Sequence, residues 1–259
     1  MRYAKKSLGQ NFLIDKNIIK KITSISRIKN RDVIEIGPGK ASLTSEILKL
    51  MPKSLTIIEK DFNLYEDLKK LYKNNKIVKI FNDDVLKFNL ESIVKKNSLI
   101  IGNLPYNISS QILIKILKFK KWPPNFKDLI FMFQKELGEK ITGKYLTTNY
   151  GRLSIITSYR LKILSNFLVS PNCFFPKPKV ISKVIHFQPR TDKIKINKLS
   201  NLEKITNIIF SNKRKMINKN LKKIINLQKI KKIPQIILDK RPADLNPNIY
   251  YKITQLFEN

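Results

Sequence analysis

The chain has 259 residues, 52 basic against 19 acidic side chains, a formal net charge of +33, one cysteine and one histidine. Cys173 alone excludes an internal disulfide, and with His186 the sole histidine there is almost no raw material for a metal cluster or imidazole catalysis, so no metal site is expected. No apolar run approaches the about 18 residues of a membrane span, and Met1-Arg2-Tyr3-Ala4-Lys5-Lys6 leads into no unbroken apolar core, so the expectation is a cytoplasmic protein.

In chain order, Lys5-Lys6-Ser7-Leu8-Gly9-Gln10-Asn11-Phe12-Leu13 is a polar lead-in to a helix patterned on Ile14, Ile18, Ile19, Ile22 and Ile25. Asp32 to Ile36 reads as a first strand, and Gly37-Pro38-Gly39-Lys40-Ala41 as a glycine turn opening a helix (Leu43, Ile47, Leu48). As a dinucleotide fingerprint it is incomplete, lacking the third glycine. A second strand, Ser54 to Ile58, ends in Glu59, 22 residues after Gly37. At about that distance such folds place an acid on a ribose hydroxyl pair. The alternative, an acid capping the next helix (Phe62, Tyr65, Leu68, Leu71), fits Asp61 better. A third strand, Ile77 to Phe81, ends in Asn82-Asp83-Asp84, where an acid could accept from a purine amino group.

The fourth strand, Leu99 to Gly102, runs into Asn103-Leu104-Pro105-Tyr106 and a helix on Ile108, Ile112, Leu113, Ile116 and Leu117, with Ser109 and Ser110 able to cap it. Pro105 fixes its own φ and biases Leu104 to an extended backbone, so the Leu104 carbonyl is held in place. Asn103 adds an amide oxygen and Tyr106 a ring face. Two fixed acceptors beside an aromatic plate suit a planar ring with an exocyclic NH2, and adenine has that shape. An ordinary strand-to-helix turn containing proline is the plain alternative.

Asp128 to Phe133 makes a fifth strand, and helices follow from Gln134-Lys135-Glu136 and Tyr150-Gly151-Arg152. Lys162 to Val169 and Val180 to Phe187 are two further strands, too close for a crossover helix and therefore read as antiparallel. Between them Phe174-Phe175-Pro176-Lys177-Pro178-Lys179 is basic and aromatic, suiting either base stacking or, for each phenylalanine, the core. Cys173 and His186 read as structural. From Pro189 the pattern turns to short Lys- and Asn-rich helices, one on Leu202, Ile205, Ile208, Ile209 and Phe210 and another on Ile217, Leu221, Ile224 and Ile225.

The charge follows this division: residues 1–189 hold 35 basic and 14 acidic side chains, residues 190–259 hold 17 and 5. A surplus of this size points to a polyanion, nucleic acid ahead of a membrane surface. Lysines outnumber arginines 44 to 8, a bias that resembles AT-rich codon drift. Lysine meets phosphate as a point charge, so positioning rather than sequence reading is expected of most of them.

Taken together, Lys-Ser-Leu-Gly-Gln-Asn-Phe-Leu, Glu-Ile-Gly-Pro-Gly, Gly-Asn-Leu-Pro-Tyr-Asn-Ile-Ser, Gln-Lys-Glu, Tyr-Gly-Arg-Leu-Ser, Phe-x-Pro-x-Pro-Lys-Val and Phe210-Ser211 running into Lys213-Arg214-Lys215 resemble the KsgA-type ribosomal RNA dimethyladenosine transferases over essentially the whole chain. The resemblance implies an α/β class I (Rossmann-like) methyltransferase: a seven-stranded doubly wound sheet with an antiparallel last strand over residues 1–189, and a small basic all-helical RNA-binding domain over 190–259. It implies S-adenosyl-L-methionine held by Asn11, Leu13, Gly37, Glu59, Asp84 and Asn103, with Glu59 on the ribose and Asp84, rather than Asp83, on the adenine amino group. Asn103, Leu104, Pro105 and Tyr106 would hold the target adenine, with Phe174 on its second face. The expected partner is small-subunit rRNA within a ribosomal assembly intermediate, met by a monomer. Rival readings are a large-subunit rRNA adenine dimethylase of the antibiotic-resistance type, a non-catalytic assembly factor, and a nicotinamide oxidoreductase resting on Gly-x-Gly alone.

Overall fold

Near-continuous apolar runs are what strands covered on both faces require, and in the computed structural model, which describes residues 10–192 and 194–259, such runs are the interior strands of one sheet. In chain order the elements are β1 (Phe12–Leu13), α1 (Lys16–Thr23), β2 (Asp32–Ile36), α2 (Ser42–Lys49), β3 (Ser54–Glu59), α3 (Phe62–Leu71), β4 (Val78–Asn82), α4 (Leu90–Ile93) and β5 (Ser98–Asn103). There follow α5 (Ser109–Leu117), β6 (Phe126–Gln134), α6 (Lys135–Thr142), α7 (Arg152–Arg160), β7 (Leu161–Val169), β8 (Phe174–Phe175) and β9 (Ser182–Pro189).

The seven-stranded sheet runs β4-β3-β2-β5-β6-β9-β7. Its first five strands are parallel, and β9 pairs antiparallel with β6. This is the doubly wound sheet that the resemblance implies. The chain leaves β2 toward β3 and β4, then returns to place β5 on the other side. That reversal opens a crevice at the carboxyl ends of β2 and β5, where α/β sheets bind ligands.

One core cluster joins Ile19 and Ile22 of α1, Leu43 and Ile47 of α2 and Leu68 of α3 to Val33, Leu55, Ile57, Leu99 and Ile101 of the sheet. Each such side chain, fully withdrawn from water, contributes about 1.5–3 kcal/mol. The same cluster takes in Leu13, Cys173 and Phe174. Polar closure comes from buried Asp128 in β6, which accepts from Ser26 Oγ (2.8 Å), Arg31 Nη1 (2.7 Å) and Gln188 Nε2 (2.9 Å) and pairs with His186 Nε2 (2.7 Å). Arg31 also donates through Nε to the Asn97 carbonyl and through Nη2 to that of Ser98 (3.1 Å), tying the start of β5 to the chain before β2. His186 and Cys173 are thus built into the frame, as expected.

Several local expectations are corrected. The lead-in to α1 contains a strand: β1 pairs antiparallel with β8 in a separate two-stranded ribbon. The α3 helix buries Leu64 and Leu68 and leaves Phe62 and Leu71 exposed, so its inner face is rotated from the one read off Phe62, Tyr65, Leu68 and Leu71. No side chain caps α5; Ser109 instead donates to the Tyr106 carbonyl at 3.2 Å, stapling the turn before it.

The residues divide into two compact units, one running to Gly138 and resuming over Ile163–Pro189, the other made of Glu139–Lys162 with Arg190–Asn259. The expected boundary between 189 and 190 places 139–162 with the first instead. In the second unit α7 joins α8 (Leu199–Phe210), the single turns α9 (Asn218–Leu221), α10 (Leu227–Ile230) and α11 (Gln235–Leu238), and α12 (Pro247–Glu258). Its core uses tyrosines whose hydroxyls donate to main-chain carbonyls: Tyr150 to Leu245 (2.7 Å), Tyr250 to Pro242 (2.6 Å) and Tyr251 to Ile155 (3.2 Å). Tyr150 and the α7 segment are thereby fixed to residues beyond 240. The expected helix on Ile217 to Ile225 is only the turn α9, though Ile217, Leu221 and Ile225 are buried.

Candidate active site

The site grows from three strand ends. After β2 the chain alternates into left-handed backbone at Gly37 (φ 68°), Gly39 (φ 58°) and Ala41 (φ 63°) before α2 begins. A Cβ at Gly39 would lie 2.8 Å from the Phe12 ring, so this position needs glycine both for its conformation and for the aromatic pressed against it. Gly102 in β5 approaches β2 so closely that a Cβ would sit 2.5 Å from the Ile36 carbonyl oxygen, which brings the Asn103 turn against the glycine turn.

After β3 the two acids divide the work. Asp61 caps α3, accepting the Asn63 N–H at 3.0 Å. Buried Glu59 lines the cleft; its Oε1 accepts the Asp61 N–H at 2.8 Å and its Oε2 the Gly39 N–H at 3.4 Å. Burial pushes its pKa up, helped by the charge of Asp61 and opposed by those N–H groups. The strand-end ambiguity is resolved by geometry: the cap is Asp61.

After β5, the Asn103 Nδ2 donates to the Asn11 carbonyl at 2.9 Å. That bond fixes the amide's orientation and leaves Oδ1 without a hydrogen-bond partner among the described residues. The Leu104 carbonyl likewise accepts no hydrogen bond there. Tyr106 is anchored by a 2.5 Å hydrogen bond between its hydroxyl and Ser182 Oγ at the start of β9, and burial pushes its phenol pKa up. The turn is closed behind by the Ile108 N–H donating to the Pro105 carbonyl at 3.2 Å.

One cleft brings together Asn11, Leu13, Gly37, Glu59, Asn103, Leu104, Pro105 and Tyr106. Its wall also includes Phe12, Lys40, Lys60, Leu64 and Ile108, which sequence reading passed over. Residues 5–9 of the first motif lie outside the described residues. Two expected residues do not line the cleft. Asp84 has both oxygens engaged, accepting from the Leu86 N–H (2.9 Å) and from Lys60 Nζ (2.8 Å); the Lys60 ammonium holds its carboxyl below the usual range, against a smaller opposing effect of burial. Phe174 is 2% exposed and packs into the core, because β8 pairs it with Leu13. Neighbours on a strand face opposite ways, so the outward ring is Phe175, at 57% exposure.

No group of three or more metal-ligating side chains occurs among the described residues, and no described helix is long and apolar enough to cross a membrane. The arrangement offers a buried carboxylate, a tight glycine turn, two carbonyl oxygens with free lone pairs and an anchored aromatic ring.

Comparison with known proteins agrees with that chemistry. Residues 1–258 match the family described as ribosomal RNA adenine dimethylase. The chain is 41% identical over 263 residues to ribosomal RNA small subunit methyltransferase A of Pelagibacter ubique (strain HTCC1062), covering 99% of this chain and 97% of the relative. It is 41% identical over 259 residues to the protein of the same name from Malacoplasma penetrans (strain HF-2), covering 97% and 91%. Among solved structures, a dimethyladenosine transferase from Plasmodium falciparum superposes with a TM-score of 0.78 at 25% identity, covering 95% of this chain and 97% of that one. The 23S rRNA methyltransferase ErmE shares the fold, with a TM-score of 0.70 at 21% identity over 96% of this chain and 100% of its own. Given a match across both units, the chain belongs to the ribosomal RNA adenine dimethylase family.

Proposed function

We propose that the protein dimethylates the N6 nitrogens of two adjacent adenosines in the 3′-terminal hairpin of small-subunit rRNA, using S-adenosyl-L-methionine. The observation that carries this reading is the Asn103 amide, its NH2 tied to Asn11 and its oxygen left as an acceptor in the same cleft as Glu59 and Tyr106.

The cleft fits the cofactor. Glu59 is an acceptor suited to a pair of ribose hydroxyls, and the glycine turn gives a side-chain-free approach at Gly37. Leu13, Leu43, Leu64 and Ile108 supply apolar walls. Asp84, just past β4 and outside the cleft's lining, would take the cofactor's purine amino group only through a lone pair left beside its bonds to Lys60 and the Leu86 N–H. When bound, S-adenosyl-L-methionine supplies a methyl group on a positively charged sulfur, which leaves as a neutral thioether, so the amine's proton can be lost to water after transfer and no strong base is needed.

The protein's part is alignment. A target adenine must leave its stack to expose N6. Its amino hydrogens would donate to Asn103 Oδ1 and the Leu104 carbonyl, which favours a pyramidal nitrogen with its lone pair directed at the methyl group. Pro105 keeps the Leu104 carbonyl in position, and the Ser182 bond keeps the Tyr106 ring available for stacking, worth about 1–3 kcal/mol. Phe174, through Leu13, supports the wall behind the base. The second unit, with exposed Lys213, Arg214 and Lys215, would hold RNA phosphates of an assembling subunit, and a monomer acting in the cytoplasm would suffice.

The test is mass spectrometry of small-subunit rRNA lacking these methyl groups after incubation with the protein and labelled cofactor. Two neighbouring adenosines should each gain two methyl groups. Labelling confined to large-subunit rRNA, or none in any RNA, would overturn the reading.

A further inference from the structure

Beside the cleft, the ribbon of β1 and β8 presents a step of two rings and a cation. Phe12 and Phe175 are direct partners across the ribbon and share one face, while Leu13 and Phe174 share the other. Phe12 is 6% exposed and lines the cleft; Phe175, beyond it, is 57% exposed. Lys40 of the glycine turn leans over both, its Nζ 4.9 Å from the Phe12 ring centroid and 6.0 Å from that of Phe175. No carboxylate pairs with Lys40 among the described residues.

The core has no use for the Phe175 ring, since Phe174 fills the inward position of the same strand. An exposed ring beside an unpaired ammonium has two complementary contacts to offer a nucleotide: a face for its base and a charge for its phosphate. The target base itself would lie at Asn103 and Tyr106, inside a cleft that Phe175 does not line. A base drawn into that cleft stays tethered to its neighbours through the backbone, so a flanking nucleotide must stand near the mouth, where Lys40 reaches.

We propose that Phe175 stacks on the base of the nucleotide adjoining the target adenosine while Lys40 contacts its phosphate, a role that rests on the rRNA adenine reading above. Where the targets are two neighbouring adenosines, the nucleotide held on this step during one round is the substrate of another. Stacking is tolerant of base identity, so the step positions the strand and leaves recognition of the amino group to Asn103.

The test uses the full-length protein and an RNA hairpin with two adjacent adenosines in its loop, one replaced by fluorescent 2-aminopurine. Phe175→Ala should weaken hairpin binding about tenfold, the loss of one base stack, and abolish the quenching of 2-aminopurine on binding. Phe175→Trp should retain both and Phe175→Leu neither. Lys40→Gln should weaken binding and flatten its salt dependence. Cofactor affinity by calorimetry should stay within about twofold in the Phe175 variants, whose ring is outside the core. Wild-type quenching and affinity in Phe175→Ala, or full function in Phe175→Leu, would overturn the stacking role while the wild type still methylates rRNA. A wild type that transfers no methyl group to any RNA would remove the functional reading and this inference with it.

Discussion

Glu35 makes one part of the fold's pH dependence calculable. It lies in β2 at 1% exposure, its Oε2 accepting the Thr44 hydroxyl at 2.7 Å and its Oε1 left without a hydrogen-bond partner. Burial raises its pKa from 4.5 to about 7; the charge of Glu59 adds to this and the Thr44 hydroxyl opposes it. Between those two pH values the folded chain keeps a proton on Glu35 that the unfolded chain has released, so this residue's contribution to stability falls as pH rises from 4.5 to about 7 and levels off above. At 1.36 kcal/mol per pH unit, the loss is about 3 kcal/mol. Glu35→Gln keeps the shape of the neutral acid and cannot ionise. Urea melts at pH 5 and pH 8, which span most of that loss, should therefore show wild type losing about 2.5 kcal/mol more than the variant. Any fixed cost of seating an amide there shifts both pH values alike and cancels. Parallel pH dependence in the two proteins would mean that Glu35 is not protonated in the fold.

Asn103→Ala should lower kcat about a hundredfold or more while cofactor affinity by calorimetry stays within about tenfold, because an acceptor for the reacting amine is lost; near-normal turnover would refute its assignment. Glu59→Gln should act in the opposite sense, weakening cofactor binding with little effect on kcat at saturation, and unchanged affinity would move the ribose contact elsewhere. For Asp128, burial alone would raise the pKa, but hydrogen bonds from His186, Gln188, Ser26 and Arg31 outweigh it and hold the carboxyl well below its usual range. Its contribution to stability is thus present above the ordinary 3.8 and lost as pH falls below that value. Asp128→Ala strands the Arg31 cation and should cost about 3–5 kcal/mol in urea melts at pH 7; a loss under 1 kcal/mol would show that the network is dispensable.

The parallel strands were legible because burial on both faces leaves an unbroken apolar signature, as in Leu99 to Gly102. The polar residues closing them, Glu59 and Asn103, were legible because a strand end is where such a sheet has its crevice. Periodicity could not reveal β1, since two residues carry no period, nor the help given to Asn103 by Asn11, which acts through its main-chain carbonyl and leaves no mark in residue type. The Phe174-Phe175 pair was readable as an aromatic loop, but which ring faces inward depends on register against Phe12 and Leu13, more than 160 residues earlier in the chain. That Asp84 shares its carboxylate with Lys60 could not be read either, since this surface lysine is indistinguishable by sequence from dozens of others. Residues 139–162 join the C-terminal unit through hydroxyl–carbonyl bonds of Tyr150 and Tyr251, contacts that no local pattern announces.

The ribbon that walls the cleft has a consequence for biosynthesis. Its strands come from opposite ends of the first unit, so closing it is among the most non-local events in that unit's folding. A nascent chain that has already exposed the glycine turn, Glu59 and Asn103 still has β1 without a mate. On the reading proposed above, the Phe12–Leu13 wall of the cleft is completed only when Phe174 and Phe175 leave the exit tunnel, and a fragment ending before them should bind the methyl donor more weakly than the whole chain.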